Sequence, residues 1–129
     1  MIMEKEIWKD IKGYTGYYQI SSSGRVKSCE RTIIQNNGRF HNRKERILTP
    51  HSNKNTSYLQ VMLVVHKRIK LCYIHRLVAE AFVKNPNSSE YKFVTHINGD
   101  IQDNRAENLA WVSKSQNKNK RLGLYGKEK

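Results

Sequence analysis

At 129 residues the chain has room for one compact domain or two very small ones. Its 24 Lys and Arg against 11 Asp and Glu give a formal net charge of +13, which favours a polyanionic partner, with nucleic acid first among the candidates. The longest apolar run, residues 61–65, is far too short to span a bilayer, and two widely separated cysteines, Cys29 and Cys72, supply neither a structural zinc site nor a disulfide framework.

The first six residues lack the long apolar core of a signal peptide, so the expected setting is a cytosol. Residues 6–28 read as short strands and turns: Ile7 and Trp8 begin them, and Gly13-Tyr14-Thr15-Gly16-Tyr17-Tyr18 forms a glycine-aromatic turn. Ser21-Ser22-Ser23-Gly24 lies between Gln19-Ile20 and Arg25-Val26 as a hairpin loop, with Gly24 supplying a left-handed conformation. Trp8, Tyr14, Tyr17 and Tyr18 read as the core of this small sheet. Residues 30–57 read as irregular and basic, apart from a strand near Arg46 that stops at Pro50.

From Tyr58 to Val65 the apolar residues alternate, predicting a strand with Val61, Leu63 and Val65 on one face. His66-Lys67-Arg68 turns the chain and Ile69 to Tyr73 returns as a second strand. The period then changes. Ile74, Leu77, Val78, Ala81 and Phe82 repeat at helical spacing, predicting a helix near 74–83 that ends at Asn85-Pro86-Asn87. Tyr91 to His96 and Leu109 to Val112 read as strands bracketing a polar loop, and Ser113 is placed to cap a last helix over about 114–122. The expected class is α+β, with an amino-terminal β module and basic arm over 1–57 and a hairpin, helix and strand-loop-strand-helix unit over 58–129.

The polar loop carries the chemistry. Hydrolysis of a phosphodiester at neutral pH needs a base for the attacking water and charge relief at the leaving oxygen, which an imidazole and a divalent cation can provide. His96 ends one strand, and Asn117 lies about one turn into the last helix, where the two side chains can face the same phosphate. A hard cation such as Mg²⁺ takes oxygen ligands, which an Asn amide supplies. Asn108 suits a structural task, bonding backbone groups across the loop to hold His96 in orientation. Lys114, Lys118 and Arg121 on the last helix are placed to hold flanking phosphates, and Arg31, Arg39, Arg43, Lys44 and Arg46 to track a nucleic-acid backbone. Arg25, Lys27, His75 and Arg76 join the candidate DNA contacts, although His75 at a helix start also fits a semi-buried structural role. His41, His51 and His66 read as surface residues.

Thr95-His96-Ile97-Asn98-Gly99-Asp100, followed by Asp103-Asn104-Arg105-Ala106-Glu107-Asn108-Leu109-Ala110-Trp111-Val112, resembles the core of the HNH endonucleases. His75-Arg76-Leu77-Val78-Ala79-Glu80-Ala81-Phe82 resembles the helix that precedes this core in the phage type. The stretch from Ile7 to Ser28, with its Gly13-Tyr14-Thr15-Gly16-Tyr17-Tyr18 turn, resembles the amino-terminal module of intron-encoded and free-standing phage HNH homing endonucleases. Three matches in family order outweigh any single short motif. The resemblance implies a ββα-metal (His-Me finger) core that cuts or nicks double-stranded DNA with Mg²⁺ or Mn²⁺ and without structural zinc. By position, His96 corresponds to the general base, Asn108 to the structural Asn and Asn117 to the metal ligand on the helix. A lone core of this kind handles one strand at a time, so nicking as a monomer in the cytosol of a phage's bacterial host is the expectation. One position departs from the pattern: Thr95 stands where the family usually has a metal-binding Asp or Asn. A hydroxyl is a weaker ligand, so the alternative is a DNA-binding protein with weakened or absent nuclease activity. A basic RNA-binding module is a second alternative, but it would need no such polar pocket around a histidine.

Overall fold

The computed structural model describes residues 5–52, 54, 55 and 57–116. Strands β1 (Trp8–Asp10), β2 (Tyr18–Ser21) and β3 (Val26–Ser28) form an antiparallel meander, joined at its edge by β6 (Arg46–Ile47). Between β3 and β6 the chain leaves this sheet as a separate hairpin, β4 (Arg31–Ile34) and β5 (Phe40–Arg43). Short β7 (His51–Ser52) then pairs with β8 (Leu59–Val65), which pairs with β9 (Arg68–Tyr73). Helix α1 (Ile74–Phe82) follows without a break, and the antiparallel pair β10 (Phe93–His96) and β11 (Leu109–Val112) completes the described chain.

The predicted alternation in β8 is realised, with Val61 and Leu63 buried and Met62 and Val64 outward. The β8–β9 turn uses two non-glycine residues in the left-handed region, His66 at φ 53° and Lys67 at φ 64°, the backbone twist that a two-residue hairpin loop requires. The apolar period of α1 buries Ile74, Leu77, Val78 and Ala79 on one side. Ile74 and Val78 are sealed from solvent, and each burial is worth about 2 kcal/mol. The helix stops where Val83 turns extended, and Asn85 then folds the chain back through bonds to Asn87 N and Tyr91 O.

One core serves both halves of the chain. Ile11, Tyr18, Ile20 and Val26 from the amino-terminal sheet pack in the same cluster as Val61, Leu63, the buried face of α1, Val94 and Leu109. Tyr18 ties the halves further: its hydroxyl donates to Val64 O and accepts from Val64 N, at 3.2 and 3.1 Å. Tyr14 and Tyr17 pack against this cluster, while Trp8 is a half-buried platform under the cations of Arg25 and Lys27.

Residues 30–57 differ from the irregular arm expected. Thr32, Ile33 and Ile34 are β-branched, and Asn37-Gly38 forms the turn that follows them, with Gly38 at φ 82°. Bonds from Gln35 N to Arg39 O and from Gly38 N to Gln35 O close the hairpin. An Asn-Gly pair between β-forming residues is a strong local hairpin signal, and it prevails over the surrounding polarity. Cys29 and Cys72 are both unpaired and half-buried. Among the described residues no helix is long and apolar enough to cross a membrane.

Candidate active site

β10 and β11 run in register, with Thr95 opposite Ala110 and His96 opposite Leu109. His96 therefore stands at the end of a fixed strand, where the chain enters the polar loop. The loop folds by short-range polar bonds that its Asn and Asp residues favour. Asn98 Oδ1 accepts from Asp100 N at 2.8 Å, and Asp100 Oδ1 accepts from Gln102 N at 3.0 Å. Gly99, at φ 82°, closes the first turn by donating from its backbone N to His96 O. A single 3₁₀ turn, Ala106–Asn108, leads back into β11.

Asn108 binds the two ends of this loop together. Its Oδ1 accepts from Asn98 N at 3.0 Å, and its Nδ2 donates to Asp103 O at 2.8 Å and Asn98 Oδ1 at 3.0 Å. Its backbone carbonyl takes Ile97 N at 2.7 Å. This is the predicted loop-bonding role. Nearby, the Arg105 guanidinium holds the Asp103 carboxyl down to about 2, with a further bond from Asn98.

The side chain that meets the imidazole is a different asparagine. His96 Nε2 lies 2.7 Å from Asn104 Oδ1, with both residues buried. Around them stands a wall of rings. Tyr58 stacks on His96 at 5.9 Å between centroids, His75 lies 5.1 Å from His96, and Tyr73 lies 5.4 Å from His75. His75 is only 8% exposed, and its Nδ1 has no hydrogen-bond partner among the described residues. Burial, reinforced by the neighbouring His96 and Arg76, lowers its pKa to about 4, so it is a neutral ring at pH 7. The structure thus places His75 in the lining of the His96 pocket.

Thr95 is buried beside His96 in the sequence. Asn117, Lys118 and Arg121 lie outside the described residues. Ser113 makes the predicted cap: its Oγ accepts from Gln116 N while Gln116 Oε1 accepts from Ser113 N, a reciprocal capping box. That cap fixes the start of the segment leading to Asn117. Among the described residues no three His, Cys, Asp or Glu side chains gather as a metal cage. Of the two positions expected to bind metal, Thr95 is described, and its hydroxyl is an oxygen donor of the kind a hard cation accepts.

The candidate DNA-contacting cations fall into two groups. Arg31 donates to Tyr17 O and Cys29 O, both at 3.0 Å, and lies against the Tyr17 and Tyr18 rings. Arg25 is paired with Glu6, whose carboxyl this bond holds down to about 2. Lys27 lies over Trp8 near Glu45, and Arg76 donates to Lys92 O while packing on Trp111. In contrast, Arg39, Arg43, Lys44 and Arg46 are exposed, with no ion pair to another described residue, and Lys114 is exposed at the capped helix start. His41, His51 and His66 are exposed, as expected.

Sequence reasoning missed three residues of this pocket: Asn104, Tyr58 and Tyr73. Asn104 is one of several polar residues in a polar loop, and only its buried contact with His96 separates it from them. Tyr58 and Tyr73 read as strand residues, and only the β8–β9 pairing beside α1 brings them to the histidines.

Comparison with known proteins shows similarity to HNH endonucleases along most of the chain. Residues 6–64 match the profile of the NUMOD4 motif, and residues 72–119 match that of the HNH endonuclease family. The chain is 36% identical over 117 residues to an uncharacterized HNH endonuclease of Acanthamoeba polyphaga mimivirus, covering 88% of this chain and 25% of that one. It is 32% identical over 110 residues to the DNA endonuclease I-HmuI of Bacillus phage SP01, covering 85% of this chain and 54% of that one. A solved structure described as DNA binding and cleavage by the HNH homing endonuclease I-HmuI superposes with a TM-score of 0.69 at 31% identity, over 95% of this chain and 60% of that one. The chain therefore spans between a quarter and somewhat over half the length of these relatives.

Proposed function

The chain belongs to the HNH endonuclease family, and on that premise we propose that it is a metal-dependent endonuclease that nicks duplex DNA with His96 as the general base. The observation that carries the reading is the buried contact of His96 with Asn104, on a loop locked by Asn108, in a chain of net charge +13. The I-HmuI structure is described as one of DNA binding and cleavage, which supports DNA as the substrate. Residues 58–129 would supply the nuclease core and residues 1–57 much of the DNA-contacting surface, acting as a monomer in the cytosol of a phage's bacterial host.

In this mechanism the His96 imidazole takes a proton from water as the water oxygen attacks phosphorus, and the bond to the 3′ oxygen breaks. Asn108 keeps the loop from shifting during this transfer, and the Tyr58 and His75 rings exclude bulk water from one side of the base. Thr95 and Asn117 would hold a Mg²⁺ or Mn²⁺ ion, which when bound supplies charge relief at the scissile phosphate and the leaving oxygen. Arg39, Arg43, Lys44, Arg46 and Lys114, with Lys118 and Arg121, would hold phosphates along the duplex. Arg25, Lys27 and Arg76 would contribute their charge from positions already braced by aromatic rings.

The test is nicking of supercoiled plasmid with added metal, with chelator, and with His96→Ala. Nicking should need metal and fall by about 10³-fold in the variant while DNA binding persists. Thr95 favours a second reading, that of a DNA-binding protein with little cleavage. Thr95→Asn restores an amide oxygen beside the base and should raise nicking at low metal; no gain counts against Thr95 as a metal-site position. Binding without metal-dependent nicking in either form would establish the second reading.

A further inference from the structure

We infer that the β2–β3 hairpin loop of the amino-terminal sheet is a brace for the base of the nuclease core, acting through Asn104 as a positioning residue that fixes which nitrogen of His96 carries the proton. The inference rests on the nuclease reading for its consequence in cleavage but not for its structural content.

The chain of contacts is short. An amide oxygen only accepts, so the 2.7 Å contact between Asn104 Oδ1 and His96 Nε2 puts the ring proton on Nε2 and the basic lone pair on Nδ1. Asn104 is itself held from behind. A Cβ built on Gly24 would lie 3.0 Å from Asn104 Cβ and 3.1 Å from its carbonyl oxygen, tight enough that Asn104 would have to give way by a few tenths of an ångström to admit a methyl group. Two residues further on, Ala106 N donates to Ser22 O at 2.8 Å, stitching the same hairpin loop to the polar loop. The hairpin loop is stiff enough to act as a stop. Ser21 is sealed from solvent, its Oγ accepts from Ser23 N and Arg25 N, and Ser22 exchanges bonds with Ile7. Pushing Asn104 forward, or removing its oxygen, would let the imidazole turn or change tautomer and put its basic nitrogen out of line with the attacking water.

The fold supplies a matched control for this idea. Gly24 at φ 94° and Gly16 at φ 86° adopt similar left-handed backbones, yet a Cβ on Gly16 meets nothing within 4 Å. Alanine at either position carries comparable backbone strain, and only Gly24→Ala collides with Asn104.

The experiment uses the full chain with ¹⁵N-labelled histidine, at a pH high enough to keep the rings neutral, with the His96 signals assigned by their loss in His96→Ala. The wild type should show a protonated Nε2 and an unprotonated Nδ1, and an NOE between Gly24 Hα and Asn104 Hβ. Asn104→Asp keeps an acceptor and should keep the tautomer. Asn104→Leu and Gly24→Ala should mix the two forms, and Gly16→Ala should not. In plasmid cleavage, Asn104→Leu and Gly24→Ala should lower kcat by about a hundredfold with KM unchanged. A wild-type ring protonated on Nδ1, no Gly24–Asn104 NOE, or equal effects of the two alanine substitutions would overturn the inference. If the wild type cleaves no DNA, the tautomer and NOE measurements still decide it, so its failure is distinct from failure of the nuclease reading.

Discussion

The loop joining β10 to β11 and the hairpin of β4 and β5 are both polar excursions from small sheets, yet they use polarity in opposite ways. In the first, Asn98, Asp103 and Asn108 bond to one another and to backbone, and Asn104 holds His96 in a buried contact. In the second, all four residues of β5 are exposed, and even Phe40 at its start is 74% exposed. The polar loop has its geometry fixed by bonds within the protein, as the proton transfer proposed for His96 requires. The hairpin keeps its side chains in water, which suits contacts to a phosphate backbone of variable sequence. The lesson is that similar composition builds a rigid pocket where side chains bond inward and an adaptable arm where they do not.

Removing Asn108 attacks the rigid side of this contrast most directly. Asn108→Ala leaves Asn98 N and Asp103 O without their side-chain partners. It should destabilise the fold by about 4 kcal/mol, read by urea unfolding. A change below about 1 kcal/mol would mean that the loop is held by other means.

The wall of the pocket gives the next largest effect. His75 has its pKa lowered from 6.5 to about 4, so the unfolded chain binds the extra proton between these values and the folded chain does not. Stability from this group is therefore complete above about pH 6.5 and is lost as pH falls toward 4, by about 3 kcal/mol in all. His75→Phe should flatten that part of the stability profile measured by urea titration at successive pH values. An unchanged slope would show that His75 is hydrated.

The smallest effect should come from the arm. Replacing Arg39, Arg43 and Lys44 together by Ala should weaken duplex binding by about 2 kcal/mol and reduce the slope of log affinity against log salt by up to about 3. Cleavage at saturating DNA should be unchanged. Loss of turnover in this variant would make the arm part of the pocket rather than its contrast.

Much of this was legible beforehand because local pattern and final environment agreed. Val61 and Leu63 alternate and are buried; Ile74, Leu77 and Val78 recur at helical spacing and face the core; Ser113 and Gln116 stand at capping distance and cap. Asn108 was legible as a loop-bonding residue because its short amide and its position leave it few other tasks. The β4–β5 hairpin was obscured by charge, although Asn37-Gly38 marks its turn. Asn104 was not legible, since its role depends on Gly24, 80 positions away by number, pressing on it from another sheet.

The sequence by itself determined where β8, β9 and α1 form, which histidine ends a strand and which family motif surrounds it, because these depend on periodicity and on neighbours within a few positions. Only the tertiary structure decided that both halves share one core, that the rings of Tyr58, Tyr73 and His75 cluster around His96, and that Asn104 rather than Asn108 touches it. Those outcomes depend on which side chains exclude water from one another across distant segments, and burial of that kind is settled by packing and leaves no mark in local sequence.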